Sequence, residues 1–154
     1  MNFLAGFVFY YFAIQISFED IKYFKIRNRL LLPFFYCTFL YSAFTGSFRE
    51  HLLSGLMFLL LFSLLYVAVA RMPRKAGIGF GDVKLISIIA FGYVDLGIRS
   101  AEVFLLSLWF ALFAQLFLHL LHQGKLLPRI AMAPSIFLAG SLYLYAPMGF
   151  LLPQ

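Results

Sequence analysis

Two aspartates, Asp20 and Asp82, are the residues of this sequence best suited to do chemistry. Asp20 follows the apolar run 3–18, and Asp82 precedes the apolar run 85–94. If these runs are the first and fourth helices of an alternating bundle, the two carboxyl groups lie in one layer at the same end. Carboxyl groups that close together share a proton, so one activates water as a base while the other protonates a carbonyl or a leaving amine.

The helix ends predict which carboxyl group keeps the shared proton. A helix start carries a partial positive charge that favours an anion, and a helix end carries a partial negative charge that disfavours it. Asp82 lies at a predicted helix start and Asp20 at a predicted helix end. We therefore expect Asp20 to hold the proton more often than Asp82.

Three glycines, Gly77, Gly79 and Gly81, alternate with other residues directly before Asp82. Glycine adopts unusual dihedral angles and lets another backbone come close, as an extended peptide at a catalytic carboxylate would require. The phosphate-binding alternative is weak, because no Gly-Lys-Ser/Thr ending follows and no strand precedes the glycines.

The composition indicates an integral membrane protein. Apolar residues make up 64% of the chain, charged residues make up 12%, and the mean hydropathy is +0.95. A water-soluble domain of 154 residues has too much surface for so few polar groups. We predict an all-α membrane helix bundle with six transmembrane helices, forming a single domain over residues 1–154. The six apolar runs are residues 3–18, 30–48, 52–70, 85–98, 103–121 and 130–152.

Two of these runs are irregular. The fourth run is short, and we extend it past Asp95 to Ile98, since a short span is accommodated by local thinning of the bilayer. The sixth run contains Pro134 and Pro147, and we expect a kink or a break at Pro134.

The distribution of basic residues predicts the orientation. Ten of the twelve lysines and arginines fall on the first, third and fifth connections or their flanks, and the other two, Arg49 and Arg99, fall on the second and fourth. The positive-inside rule then places the odd-numbered connections in the cytoplasm and both termini outside it.

The remaining polar residues predict no further chemistry. His119 and His122 lie three residues apart on one helical face, but no third ligand accompanies them, so we expect no metal and no cofactor. Cys37 lies within an apolar run and is interpreted as a small apolar filler. We interpret Glu19 as a hydrated interfacial charge, and the basic stretches as topology signals rather than a nucleic-acid surface.

The chain resembles the type IV prepilin peptidases, which are membrane aspartic proteases. Residues 79–85, Gly-Phe-Gly-Asp-Val-Lys-Leu, look like the GxGDxKL signature of that family. Asp20 with Lys22, followed by Ile26, Asn28 and Leu30, resembles the motif around its first aspartate, with Arg27 where the family usually has proline. Residues 130–140, with Pro134, look like its C-terminal proline and glycine element.

The resemblance implies a minimal aspartic endopeptidase in the inner membrane of a prokaryote. Its catalytic residues would be Asp20 and Asp82, facing the cytoplasm, and its substrates would be prepilins or pseudopilins of type IV pili and type II secretion. Cleavage would remove a short basic leader, after a glycine and before a hydrophobic helix. The paired cysteines of the bifunctional members are missing, so N-methylation of the product has no support.

The supporting or substrate-binding residues that the resemblance implies surround the two aspartates. Lys84 would orient Asp82 or the scissile carbonyl, and Asn28 would donate hydrogen bonds to the first connection. A snorkelling lysine and a loop-capping asparagine are equally compatible with these positions. The implied set is completed by residues Gly79, Gly81, Lys22 and Pro134.

Two other functions remain open. Signal peptide peptidase and presenilin share the GxGD sequence, but they are larger and carry their first aspartate in a Tyr-Asp setting, whereas Asp20 follows Glu19. A non-catalytic membrane bundle, acting in transport or in pilus or secretion assembly, would use its interfacial carboxylates to bind ions or to pair with Lys22 and Lys84.

Overall fold

The described parts of the chain consist of α-helices and contain no β-strand. The computed structural model describes residues 3–71, 79–123 and 130–145. The prediction of an all-α fold is confirmed for these ranges. The helices within them are α1 Phe3–Tyr23, α2 Asn28–Thr45, α3 Phe48–Ala70, α4 Phe80–Tyr93, α5 Ile98–Gln123 and α6 Ala133–Tyr145.

Two of the described helices, α3 and α5, are long and apolar enough to cross a membrane by length and composition. Their outward side chains include Leu64 and Trp109, which are 70% and 73% exposed. On α1, Ile14 is 72% exposed in the same way. Large apolar side chains exposed on several helices form the kind of surface that lipid covers in a membrane protein.

Helix α4 is buried by its neighbours. Every residue from Leu85 to Tyr93 is buried, and α4 packs against α2, α3 and α6. A helix that is apolar all round belongs in the core, because no face of it gains from water. Phenylalanines of α1, α2, α3 and α5 complete this core with side chains that have no exposed surface, namely Phe9, Phe34, Phe58 and Phe104.

A glycine allows α3 and α4 to pack at close range. A Cβ atom at Gly55 would lie 2.7 Å from the Cβ atom of Phe91, a distance that real Cβ contacts do not reach. Helices α3 and α4 can therefore approach this closely only because Gly55 has no side chain.

The fourth run differs from the prediction, and the sixth run agrees with it. Helix α4 ends at Tyr93 instead of continuing to Ile98, because Val94 is extended, with φ −104° and ψ 122°, and Ile98 already begins α5. The backbone N–H of Asp95 donates to the Tyr143 hydroxyl at 3.2 Å. The sixth run is broken at Pro134, one of the two outcomes expected there, because residues 130–132 are not helical and α6 begins at Ala133. Pro134 lies in the first turn of α6, where its ring has no preceding turn to clash with.

Two ion pairs link the end of α1 to the connection that follows it and to the start of α2. The Glu19 carboxylate lies 3.3 Å from the Arg27 guanidinium and 3.5 Å from that of Arg29. The sequence indicated a hydrated Glu19, whereas Glu19 is ion-paired in the structure. Phe24, in the same connection, has a φ of 50°, which is strained for a side chain of its size.

Candidate active site

Asp20 lies in the last turn of α1 and caps the start of α6. Its Oδ2 atom accepts a hydrogen bond from the Ala133 backbone N–H at 2.9 Å. The first N–H groups of a helix have no partner within the helix, and the residue before α6 is Met132, whose side chain is a poor acceptor. A carboxylate 113 positions away in the sequence therefore provides the cap that α6 lacks locally.

Asp82 lies in the first turn of α4 and caps its own helix. Its Oδ2 atom accepts a hydrogen bond from the Gly79 backbone N–H at 3.0 Å. A Cβ atom at position 79 would lie 2.9 Å from that same oxygen. Any other residue at position 79 would therefore displace the Asp82 carboxylate, although the φ of −72° and ψ of 146° at Gly79 suit any residue.

The two carboxyl groups come from distant parts of the chain to one buried place. Asp20 is 4% exposed and Asp82 is 9% exposed, and the negative charge of Asp20 acts on Asp82. Both residues lie outside the apolar runs of their helices, Asp20 beyond residues 3–18 and Asp82 ahead of residues 85–94. Two carboxyl groups that interact through their charges titrate as a pair.

The two groups are stabilised as anions to different extents. Burial raises the pKa of Asp82, the charge of Asp20 raises it further, and the pKa reaches about 6 despite the hydrogen bond from Gly79. Burial also raises the pKa of Asp20, but backbone N–H groups of Ala133 and Met132 oppose this rise. Asp82 is therefore the group that keeps a proton more readily.

The surroundings of Asp20 oppose the expectation that this residue holds the shared proton. That expectation considered only the end of α1, whose partial negative charge disfavours an anion. The Asp20 carboxylate also lies at the start of α6, which stabilises the anion through the hydrogen bond from the Ala133 N–H.

The glycines before Asp82 serve packing within the protein. A Cβ atom at Gly81 would lie 3.1 Å from the Cβ atom of Ile26, in the connection between α1 and α2. Gly79 leaves room for the Asp82 carboxylate, as described above. The expected approach of a peptide backbone is therefore not needed to explain these two glycines, and Gly77 lies outside the described residues.

The other residues of the implied set are placed as follows. Lys84 Nζ donates to Asn28 Oδ1 at 3.0 Å and lies 5.0 Å from the centre of the Phe80 ring. Lys84 therefore links the starts of α2 and α4 and makes no ion pair with Asp82 within the described ranges. Lys22 is exposed and lies over the Tyr23 ring.

Pro134 is half-buried and directly follows Ala133, the residue that donates to Asp20. Proline has no backbone N–H, so at this first-turn position it leaves no unpaired donor beside the carboxylate. Of the implied set, Gly79 donates a hydrogen bond to Asp82, Gly81 directly precedes Asp82, and Pro134 follows the residue that donates to Asp20.

The described residues contain no group of three histidine, cysteine or acidic side chains that could hold a metal ion. His119 and His122 line a cavity of about 370 Å³ between α5 and α6. A larger apolar groove of about 420 Å³ lies between α2, α3 and α4, with Asn28 and Lys84 among its lining residues, and it includes neither Asp20 nor Asp82.

The contact of α6 with Asp20 was missed by sequence reasoning. Ala133 contributes only a backbone N–H, so its side chain carries no signal. The one available signal was the lack of a capping side chain at Met132, before a helix start that begins with Ala-Pro.

The comparisons with known proteins agree with the motifs. The model of the type IV leader peptidase family matches residues 7–117, which include Asp20 and Asp82 and end before α6. No curated protein and no solved structure matched the chain. Because the family model covers more than two thirds of the 154 residues, the chain belongs to the type IV leader peptidase family, and it is a peptidase of that family.

Proposed function

We propose that this protein is a membrane-embedded aspartic endopeptidase that removes the short basic leader from prepilin or pseudopilin precursors. Asp20 and Asp82 are its catalytic residues. The observation that carries the proposal is the burial of both carboxyl groups in one place, with the charge of one raising the pKa of the other. Membership of the leader peptidase family gives this pair its reaction class.

The environments of the two groups support different roles. Asp20, which accepts the Ala133 N–H, is the carboxylate that takes a proton from the attacking water. Asp82, whose pKa is the more strongly raised, is the acid that gives its proton to the scissile carbonyl oxygen. Water oxygen then bonds to the carbonyl carbon to give a diol. The C–N bond breaks as the leaving nitrogen takes the proton held by Asp20, and one hydroxyl of the diol returns its proton to Asp82 as the new carboxyl group forms.

We further propose six membrane spans, with the active site at the cytoplasmic face and both termini outside. The alternating basic connections support this orientation. Two described helices are apolar enough to cross, and α4, with 14 residues, has its sides covered by other helices. A catalytic pair at the membrane boundary suits the reaction, because the scissile bond must be unwound and hydrated before it is cut.

The test is cleavage of defined substrates in cells. The chain is co-expressed with a panel of prepilins and pseudopilins, and loss of the leader is followed by gel mobility and by mass spectrometry. Asp20→Asn and Asp82→Asn are each expected to abolish cleavage after the glycine. Asp95→Asn is the matched control, because Asp95 is exposed, and it should cleave as the wild type does.

The alternative of a non-catalytic bundle predicts another pattern. In that case no precursor is cut, or cutting persists in both variants because an enzyme of the host performs it. A host strain without its own leader peptidase rules out cleavage by an enzyme of the host. Cleavage by either aspartate variant in that strain would overturn the proposal.

A further inference from the structure

An amide side chain of α5 holds the segment that leads into α6. Gln115 Nε2 donates to the Ala131 carbonyl oxygen at 2.8 Å, and the Ser135 hydroxyl donates to Gln115 Oε1. Ser135 is 2% exposed and Gln115 is half-buried. One side chain therefore binds the α6 segment on both sides of residues 132–134.

The residue between these two attachment points is the one that contacts the active site. Ala133 donates its backbone N–H to Asp20 Oδ2 at 2.9 Å. The residues leading into α6 are Ile130, Ala131 and Met132, which are not helical and whose side chains cannot form strong hydrogen bonds of their own. Their placement against Asp20 therefore depends on partners from other helices.

Gln115 is a polar residue within a long apolar helix. Polar side chains in such helices are costly to bury and are paired when they are buried. Both ends of the Gln115 amide are used, its nitrogen for a backbone carbonyl and its oxygen for a hydroxyl. Neither the two catalytic motifs nor the proposed mechanism makes use of this residue.

We propose that Gln115 is a positioning residue of the peptidase, which holds the first turn of α6 on Asp20 so that the Ala133 N–H stays on the carboxylate. This inference rests on the proposed function. Gln115 does not touch the reacting atoms. It acts through Ala131 and Ser135 on a hydrogen bond that stabilises the ionised form of the base.

Loss of the amide should therefore change catalysis in a particular way. When the α6 turn is no longer held, the N–H bond to Asp20 loosens and the ionised base loses part of its stabilisation. We expect kcat to fall by about tenfold, since a hydrogen bond to a charged group is weakened. The acid limb of the pH profile of kcat should move upward by about one pH unit, while KM stays within about twofold.

The experiment compares Gln115→Met with the wild type on a prepilin that the wild type cleaves, over a range of pH. Methionine keeps the length and shape of glutamine but cannot form the two bonds. Gln15→Met is the matched control, because the Gln15 amide is exposed on α1 and donates a hydrogen bond to the Tyr11 hydroxyl of the same helix. Gln15→Met should keep the wild-type kcat and pH profile.

Two further variants keep the inference testable if Gln115→Met does not fold. Ser135→Ala removes one of the two attachments and should give a smaller shift of the acid limb in the same direction. Ser135→Thr keeps the hydroxyl and should restore the wild-type limb. A merely structural role would lower the yield of folded protein without moving the limb.

The outcomes separate this inference from the proposed function. If the wild type cleaves and needs both aspartates, but Gln115→Met and Ser135→Ala keep the wild-type kcat and acid limb, the positioning role alone is overturned. An effect of Gln115→Met on KM alone would also overturn it, because it would assign the amide to substrate binding. If the wild type cleaves no precursor, the proposed function fails, and the positioning role fails with it.

Discussion

Replacing Asp82 with asparagine should stabilise the protein while it abolishes cleavage. Burial and the charge of Asp20 raise the pKa of Asp82 from its ordinary value of 3.8 to about 6. The folded protein therefore favours the neutral form of this group more than the unfolded chain does. Asparagine is neutral at every pH, and its side-chain oxygen can still accept the Gly79 N–H bond.

The size of the effect follows from the difference between the two pKa values. At about 1.4 kcal/mol per tenfold change in the proton-binding constant, a rise from 3.8 to about 6 corresponds to about 3 kcal/mol. The pKa of Asp82 is higher in the folded protein than in the unfolded chain, so its ionisation lowers the free energy of unfolding as the pH rises from 3.8 to about 6. Above that pH the loss is complete. The advantage of Asp82→Asn should be near zero below pH 3.8 and reach about 3 kcal/mol at neutral pH.

The assay is thermal unfolding in detergent micelles at several pH values between 4 and 8. Cys37 is the single cysteine of the chain and is half-buried, so its reaction with a thiol-specific dye reports unfolding. We expect the apparent Tm of Asp82→Asn to exceed that of the wild type by an amount of the order of 5–10 °C at pH 7.5. The gap should close as the pH falls toward 4.

Asp95→Asn is the control for this experiment as well, since an exposed carboxyl group should give no gap that depends on pH. Parallel curves for Asp82→Asn and the wild type across the whole range would refute the reasoning. They would show that the carboxyl group is hydrated in the folded protein or paired with a cation. A lower Tm for the variant at neutral pH would contradict the sign.

Two further substitutions test the local geometry of the site. Gly79→Ala places a Cβ atom 2.9 Å from the Asp82 Oδ2 atom in the present geometry, so the carboxylate must move, and we expect cleavage to fall at least tenfold while the apparent Tm changes little. Wild-type cleavage by this variant would show that the position of the carboxylate is not critical. Phe24→Gly relieves a φ of 50° at a half-exposed position and should raise the free energy of unfolding by about 1 kcal/mol, measured by the same dye assay. A decrease would show that packing of the Phe24 ring outweighs the backbone strain.

The positions of the helices could be predicted well because they depend on local hydropathy. The run 52–70 lies within α3, Phe48–Ala70, and the run 103–121 lies within α5, Ile98–Gln123. The end of α4 was predicted less well, because hydropathy does not distinguish an apolar residue in a helix from one in an extended link such as Val94. The start of α6 at Ala133 agrees with the break that Pro134 predicted, since proline is tolerated in the first turn of a helix.

The sequence by itself determined that the chain is helical and that its composition suits a membrane. It also determined that the two aspartates lie at helix ends, beside motifs like those of a leader peptidase. These features follow from composition, spacing and residue type, which are local properties. Only the tertiary structure decided what surrounds each carboxyl group. The start of α6 reaches Asp20 from 113 positions away, and Gln115 holds that start from α5. The proton preference of a buried carboxyl group depends on the donors and charges within a few ångströms, and helix packing brings those groups together from distant parts of the chain.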